Sequence, residues 1–203
     1  MNNSSKAAAA LVAVNLIALA GPLAFGWNLS SLLFLYWLEL VIVGLYNIEK
    51  MRRAEGLGEL GKSRSYQAIF FIAHYATFCV LYGVALRRVI AGPDAALEGS
   101  RIALTIAAVA LVASHAASFK LNFLERGEFS KTTSLGQMFV PYERAVPVHV
   151  AVVIAAVVAR GFEGSVLSLT MLAAVKLGAD LLMHVLHHNA LANDLSSPPR
   201  EAS

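Results

Sequence analysis

Six apolar runs constrain the fold of this chain more than any other feature of its sequence. They cover residues 7–25, 29–48, 67–86, 102–123, 145–158 and 165–186, and charged residues, glycine or proline bound them. A helix of about 20 apolar residues crosses the hydrocarbon core of a bilayer, and lipid offers no hydrogen-bond partner to an open backbone. The runs therefore predict an all-α fold: a polytopic membrane helix bundle with six transmembrane helices.

The composition agrees with a chain whose solvent is lipid. Of the 203 residues, 58% are hydrophobic and 14% are charged, against about 25% charged in an average soluble domain. We expect a single transmembrane helical domain over 1–188 and a polar, disordered C-terminal tail over 189–203. The lipid bilayer is the expected partner. Nucleic-acid binding is excluded, because the basic residues lie at the ends of the apolar runs, where membrane topology explains them.

The lysines and arginines in the connections predict the orientation. With a cytoplasmic N-terminus, eleven of them fall on the inner side and four on the outer side, with Lys176 left out because it lies inside a run. This excess predicts an inner (plasma) membrane protein with both termini in the cytoplasm. The first run also resembles a signal peptide with "ALAG", Ala18 to Gly21, as a cleavage site, and cleavage would not change the topology of the other helices.

All six histidines fall in the cytoplasmic half of this predicted bundle. His74, His115 and His184 lie at matched depth on three helices, and Glu39 lies near the middle of the membrane. Ionisable groups at such depth cost about 2.5–3.5 kcal/mol each on insertion scales, so they should face the bundle interior and pair there. Helical spacing gives each helix one polar stripe. The stripes are Glu39, Tyr46 and Asn47; His115, Ser118 and Asn122; and Lys176, Asp180, His184 and His188.

These stripes suggest a metal site, because neutral imidazole is the commonest metal ligand and a carboxylate completes many such sites. The predicted ligands of a transition metal (Zn, Fe, Mn or Cu) are His74, His115, Asp180 and His184. Glu39 would then be the general base acting on a metal-bound water, in a metal-dependent hydrolase or oxidoreductase of a small or lipid-like substrate. The residues expected to support the ligands or to contact the substrate are Asn47, Asn122, Arg144, His149 and Lys176.

Three alternatives stay open for the same residues. A proton-coupled transporter or proton relay would use Glu39, Asp180 and the histidines without metal. A haem-binding electron-transfer protein would use two facing histidines, for instance His74 and His184, as axial ligands. A structural bundle would use the polar side chains only to link helices, with Lys176 and Asp180 as an ion pair four residues apart.

Several segments resemble the successive blocks of a known family. The segments are "LYWLELVIVGLYNIEKM", "FFIAHYATF", "SHAASFKLNFLERGEF", "QMFVPYERAVPVHV" and "KLGADLLMHVLHH". Together, from about Leu32 to His188, they are similar to a family of uncharacterised bacterial and archaeal polytopic membrane proteins known as a domain of unknown function. Leu40 departs from an asparagine of the family pattern. The resemblance implies the membrane architecture and no particular reaction.

The connection between the fourth and fifth runs, 124–144, is the longest polar segment between two runs. Pro141 and Pro147 lie where the fifth run begins, and proline usually ends a helix or stands in its first turn. We therefore expect a solvated loop over this connection.

Overall fold

The structure is a computed structural model, and it describes residues 16, 20–56, 61–91, 96–161 and 169–179. Over 61–64, 89–91, 143–148, 151–152, 155–156 and 158–161 it describes the backbone only. Most of the first apolar run, the proposed cleavage site and the predicted disordered tail over 189–203 lie outside the described residues.

Five helices organise the described residues. Helix α1 spans Leu29–Arg53, α2 spans Gly61–Ala85, α3 spans Arg101–Ser118, α4 spans Ser134–Gly161 and α5 spans Leu169–Ala179. A helical segment covers 20–24, π-helical turns continue α2 over Leu86–Ala91 and α3 over Phe119–Leu124, and a 3₁₀ turn covers Glu128–Ser130. The part of the chain that the structure describes contains no strand, which confirms the all-α prediction.

Within the described ranges, three helical stretches are long and apolar enough to cross a membrane: Leu29–Arg53, Ser65–Arg88 and Arg101–Leu124. The shorter two have 24 residues, which is about 36 Å of helix against a hydrocarbon core of about 30 Å. These stretches support the predicted membrane class. The count of six spans, the inner membrane and the cytoplasmic location of the termini stay predictions.

Helix α4 begins at Ser134, before the start at Ala145 that the apolar run predicts. Its first turn is capped by Thr133, whose Oγ1 accepts a hydrogen bond from the backbone nitrogen of Gly136 at 3.0 Å. Pro141 lies inside the helix and is fully buried. The expected loop is therefore helical from Ser134 onward, because tertiary packing compensates the hydrogen bond that a proline removes.

Helix α1 is the central helix, since α2, α3 and α4 all pack against it. Leu32, Leu40 and Met51 are buried along its length. Gly44 lets the ring of Tyr75 lie directly against the α1 backbone, because a Cβ at this position would collide with that ring. The close approach fixes how α2 is placed on α1.

Loops fasten α1 at both ends. At its N-terminus, Asn28 Nδ2 donates to the backbone oxygen of Ala96 at 3.0 Å, just before α3 begins. Past its C-terminus, the backbone nitrogen of Glu55 donates to the oxygen of Phe129 at 2.8 Å, just after the turns that end α3. Helices α1 and α3 therefore run in the same direction, as expected for the second and fourth runs of an alternating membrane topology.

Candidate functional site

A glutamate, a histidine and a lysine from three helices meet inside the bundle. The Nζ atom of Lys176 lies 2.6 Å from Oε2 of Glu39, and Nε2 of His115 lies 3.9 Å from Oε1 of the same carboxylate. The exposed fractions of the side chains are 14% for Glu39, 24% for His115 and 3% for Lys176. We call these three residues the central ionic cluster; α1, α3 and α5 contribute one member each.

The ring of Tyr36 gives the lysine ammonium a second contact. The Nζ atom of Lys176 lies 5.3 Å from the centroid of this ring, and Tyr36 is buried. Tyr36 precedes Glu39 by one helical turn, so both side chains lie on the same side of α1. The ammonium is therefore held by a carboxylate and an aromatic face of one helix, and a desolvated cation–π contact contributes about 2 kcal/mol.

Tyr46 packs against the histidine of the cluster. The rings of Tyr46 and His115 are stacked, with centroids 6.3 Å apart and an interplanar angle of 23°. Tyr46 follows Glu39 by two helical turns, and both residues contact His115. This agrees with the Glu39 and Tyr46 part of the polar stripe that helical spacing predicts on α1. Asn47, the third member of that stripe, contacts α4 instead.

The net charge of the central ionic cluster depends on one proton. With a neutral His115, the carboxylate of Glu39 and the ammonium of Lys176 cancel. With a protonated His115, the cluster carries one net positive charge, because both ring nitrogens of the imidazole then hold a proton. The arrangement can hold a proton and pass it between an imidazole and a carboxylate.

His74 lies in a different environment. Its Nδ1 atom is 2.9 Å from the Oη atom of Tyr142, and its ring stacks on Phe70 at a centroid distance of 5.8 Å. The side chain is exposed on the outside of the bundle. Among the described residues, its contacts are with its own helix and with α4, and none is with His115.

Two further residues expected beside a metal site have partners of their own. Asn47 is buried, and its Nδ2 atom donates to the backbone oxygen of Gln137 at 3.1 Å. His149 is also buried, and its ring meets the ring of Tyr82 edge-on at 5.5 Å. These contacts join α1 and α2 to α4, and neither belongs to the central ionic cluster.

Two of the four predicted metal ligands, Asp180 and His184, lie outside the described residues, as does the side chain of Arg144. Within the described ranges, no group of three or more His, Cys, Asp and Glu side chains could hold a metal ion. The other two ligands, His74 and His115, have different partners on different helices. The transition-metal site and the haem alternative therefore stay predictions.

The sequence left Lys176 either in support of the metal site or paired with Asp180, and it assigned Glu39 to a metal-bound water. The structure pairs Lys176 with Glu39, and Asp180 lies outside the described residues. One signal could have pointed to this pair. Glu39 is the acidic residue inside the second run and Lys176 the basic residue inside the sixth. Each buried charge carries a free-energy cost when it is unpaired, so opposite charges on two membrane helices are expected to pair with each other.

Comparison with known proteins gives a family but no function. The model of a family described as a family of unknown function (DUF6498) matches residues 2–196, which include all three members of the central ionic cluster. No curated protein and no solved structure matches the chain. The family match confirms the predicted resemblance to a domain of unknown function.

Proposed function

Because the chain belongs to DUF6498, a family of unknown function, we propose its activity from the central ionic cluster: it conducts protons, as a relay within a proton-coupled transporter. The observation that carries this proposal is the carboxylate of Glu39 between Lys176 Nζ at 2.6 Å and His115 Nε2 at 3.9 Å. Glu39 and His115 belong to stretches long and apolar enough to cross a membrane.

A contribution to the stability of the fold does not by itself explain why the central ionic cluster is buried. A buried ion pair adds little net stability, because the cost of removing its charges from water offsets their attraction. A structural ion pair also needs only two charges, whereas this one has the imidazole Nε2 of His115 3.9 Å from the carboxylate. Ionisable groups inside membrane helices mark ion pathways and proton relays, and a carboxylate with an adjacent imidazole suits that chemistry.

The relay works by one proton transfer. A proton on Nε2 of protonated His115 moves to Oε1 of Glu39, after a small side-chain rotation has closed the 3.9 Å gap between the two atoms. The transfer leaves a neutral imidazole and a neutral carboxyl group. The ammonium of Lys176 opposes protonation of Glu39, so the transfer occurs together with separation of Lys176 from the carboxylate. This separation couples the proton to a movement of α5 against α1. Release of the proton restores the ion pair.

Proton flux into liposomes tests the proposal. Purified protein is reconstituted with a trapped pH-sensitive dye, and a potential is applied with valinomycin and a potassium gradient. The wild-type protein should acidify the lumen, and Glu39→Gln should abolish this flux because the acceptor carboxylate is gone. The matched control is Glu49→Gln on the same helix, near its C-terminus, where Arg53 Nε lies 2.5 Å from the carboxylate.

Two results would contradict the proposal. One is a wild-type flux no greater than that of protein-free liposomes. The other is a Glu39→Gln flux equal to that of the Glu49→Gln control.

The competing proposal is a membrane metalloenzyme with His74, His115, Asp180 and His184 as ligands. The common depth of these residues in the predicted topology supports it. Elemental analysis and an optical spectrum of the detergent-purified protein decide between the two, since a resident metal ion binds close to one equivalent per chain. A metal content near zero without a haem absorbance band would leave the proton relay as the better account.

A further inference from the structure

A row of polar side chains on α3 continues from the central ionic cluster toward one end of the bundle. Asn122 Nδ2 donates to Ser118 Oγ at 3.3 Å, and Arg126 Nη1 donates to Asn122 Oδ1 at 3.4 Å. His115, Ser118 and Asn122 are partly buried, and Arg126 is exposed. We call these four residues the polar file.

Helical spacing keeps His115, Ser118 and Asn122 on one side of α3 and its π-helical continuation, and Arg126 follows in the turn after them. Ser118 follows His115 by three residues, Asn122 follows Ser118 by four, and Arg126 follows Asn122 by four. After Ser118 the helix changes to the π-helical turn Phe119–Leu124, a geometry that is rare and frequent at functional sites. The donors all point inward, from Arg126 to Asn122 and from Asn122 to Ser118, so the serine hydroxyl can donate further toward the cluster.

The opposite side of the cluster is lined by leucines and by the aromatic ring of Tyr36. A leucine stands one turn before each member: Leu35 before Glu39, Leu111 before His115 and Leu172 before Lys176. Their exposed fractions are 2%, 6% and 1%, and all three belong to one hydrophobic core cluster. We call them the leucine layer. Beyond it, toward the N-termini of α1 and α3, the same apolar cluster continues through Leu32, Leu104 and Ala107.

From this asymmetry we infer that the central ionic cluster exchanges protons with one side of the membrane only, through the polar file, while the leucine layer closes the other side. Polar side chains with partial exposure can hold a chain of water molecules, and a buried apolar layer stays dry. The open side is the end of the bundle that carries Arg53 and Arg126, which the distribution of basic residues assigns to the cytoplasm. The inference deepens the proposed proton relay and rests on it.

Cysteine labelling tests the access path. The one native cysteine, Cys79, is buried and is first replaced by serine. Ser118→Cys and Asn122→Cys then report on the polar file, and Ala107→Cys, also on α3 and 4% exposed, is the matched control on the closed side. A charged, membrane-impermeant methanethiosulfonate is added to inverted and to right-side-out membrane vesicles, since it reaches water-filled space and not lipid.

The file cysteines should react about ten times faster than the cysteine at position 107, because the rate follows exposure of the thiolate. Their reaction should occur in inverted vesicles and not in right-side-out vesicles. Labelling in dodecyl sulfate checks that each cysteine is present and reactive. Equal rates at positions 107, 118 and 122, or labelling of the file in both vesicle types, would overturn the inference.

Labelling and proton flux fail independently. Water access to the file without any wild-type flux would refute the proton relay and, with it, the inferred proton path. Flux that depends on Glu39 without labelling at positions 118 and 122 would refute the access path and leave the relay intact.

Discussion

Two glutamates on α1 stand in opposite surroundings. Glu39 lies in the bundle interior, with Lys176 of α5 at 2.6 Å, and its side chain is 14% exposed. Glu49 lies near the C-terminus of the same helix, with Arg53 at 2.5 Å and Arg52 at 3.7 Å, and is 35% exposed. Both are ion-paired carboxylates of one helix, so the difference between them comes from their surroundings.

Glu49 makes local ion pairs within one helix, whereas Glu39 makes tertiary ones between helices. Both partners of Glu49 follow it by one helical turn, and exposed pairs of this kind contribute about 0–1 kcal/mol because water screens them. The partners of Glu39 come from helices far away in the sequence. Removing one partner of a buried pair costs about 3–5 kcal/mol, since the remaining charge stays in a medium that cannot solvate it.

The largest expected effect comes from Lys176→Met. This change leaves the Glu39 carboxylate without its ammonium partner and should lower the free energy of unfolding by about 3–5 kcal/mol. Equilibrium unfolding in mixed micelles measures the difference. The double variant Glu39→Gln with Lys176→Met should recover most of the loss. A double variant as unstable as Lys176→Met alone would show that the lysine stabilises the bundle by packing and not by its charge.

A smaller effect is expected from the ring over the lysine. Tyr36→Leu should cost about 2 kcal/mol more in the presence of Lys176 than in the Lys176→Met background, because the cation–π contact exists only in the former. A double-mutant cycle on the unfolding free energies isolates this coupling. Identical costs in both backgrounds would mean that the tyrosine acts by packing alone.

His115→Gln should separate stability from function. It leaves the Glu39–Lys176 pair intact, so the unfolding free energy should fall by about 1 kcal/mol, while proton flux into liposomes should be lost with the imidazole. Micelle unfolding and the dye assay are run on the same preparation. Full flux in this variant would remove the histidine from the proposed relay.

The smallest effect is expected at the exposed glutamate. Glu49→Gln should change the unfolding free energy by less than about 1 kcal/mol, and this difference should shrink further at high salt. A cost comparable to that of Lys176→Met would mean that exposure does not distinguish the two glutamates. The claim that burial makes the Glu39 ion pair more important for stability than the Glu49 ion pair would then be wrong.

The helical class and the polar faces could be predicted from the sequence, because both follow from local chemistry. An apolar run of sufficient length must satisfy its backbone hydrogen bonds internally, so it forms a helix wherever it lies in a membrane. The shared face of Glu39 and Tyr46 follows from a spacing of two helical turns. The start of α4 could not be predicted in the same way. Proline usually ends a helix or stands in its first turn, whereas Pro141 is buried inside α4.

The tertiary structure decided which of these faces meet. Helical periodicity fixes the side on which a residue lies but not the rotation of one helix against the next. That rotation depends on close packing, such as the Tyr75 ring against Gly44 and the loops that fasten both ends of α1. Packing therefore joined Lys176 to Glu39 and placed His74 beside Tyr142, although depth alone made each available to several partners.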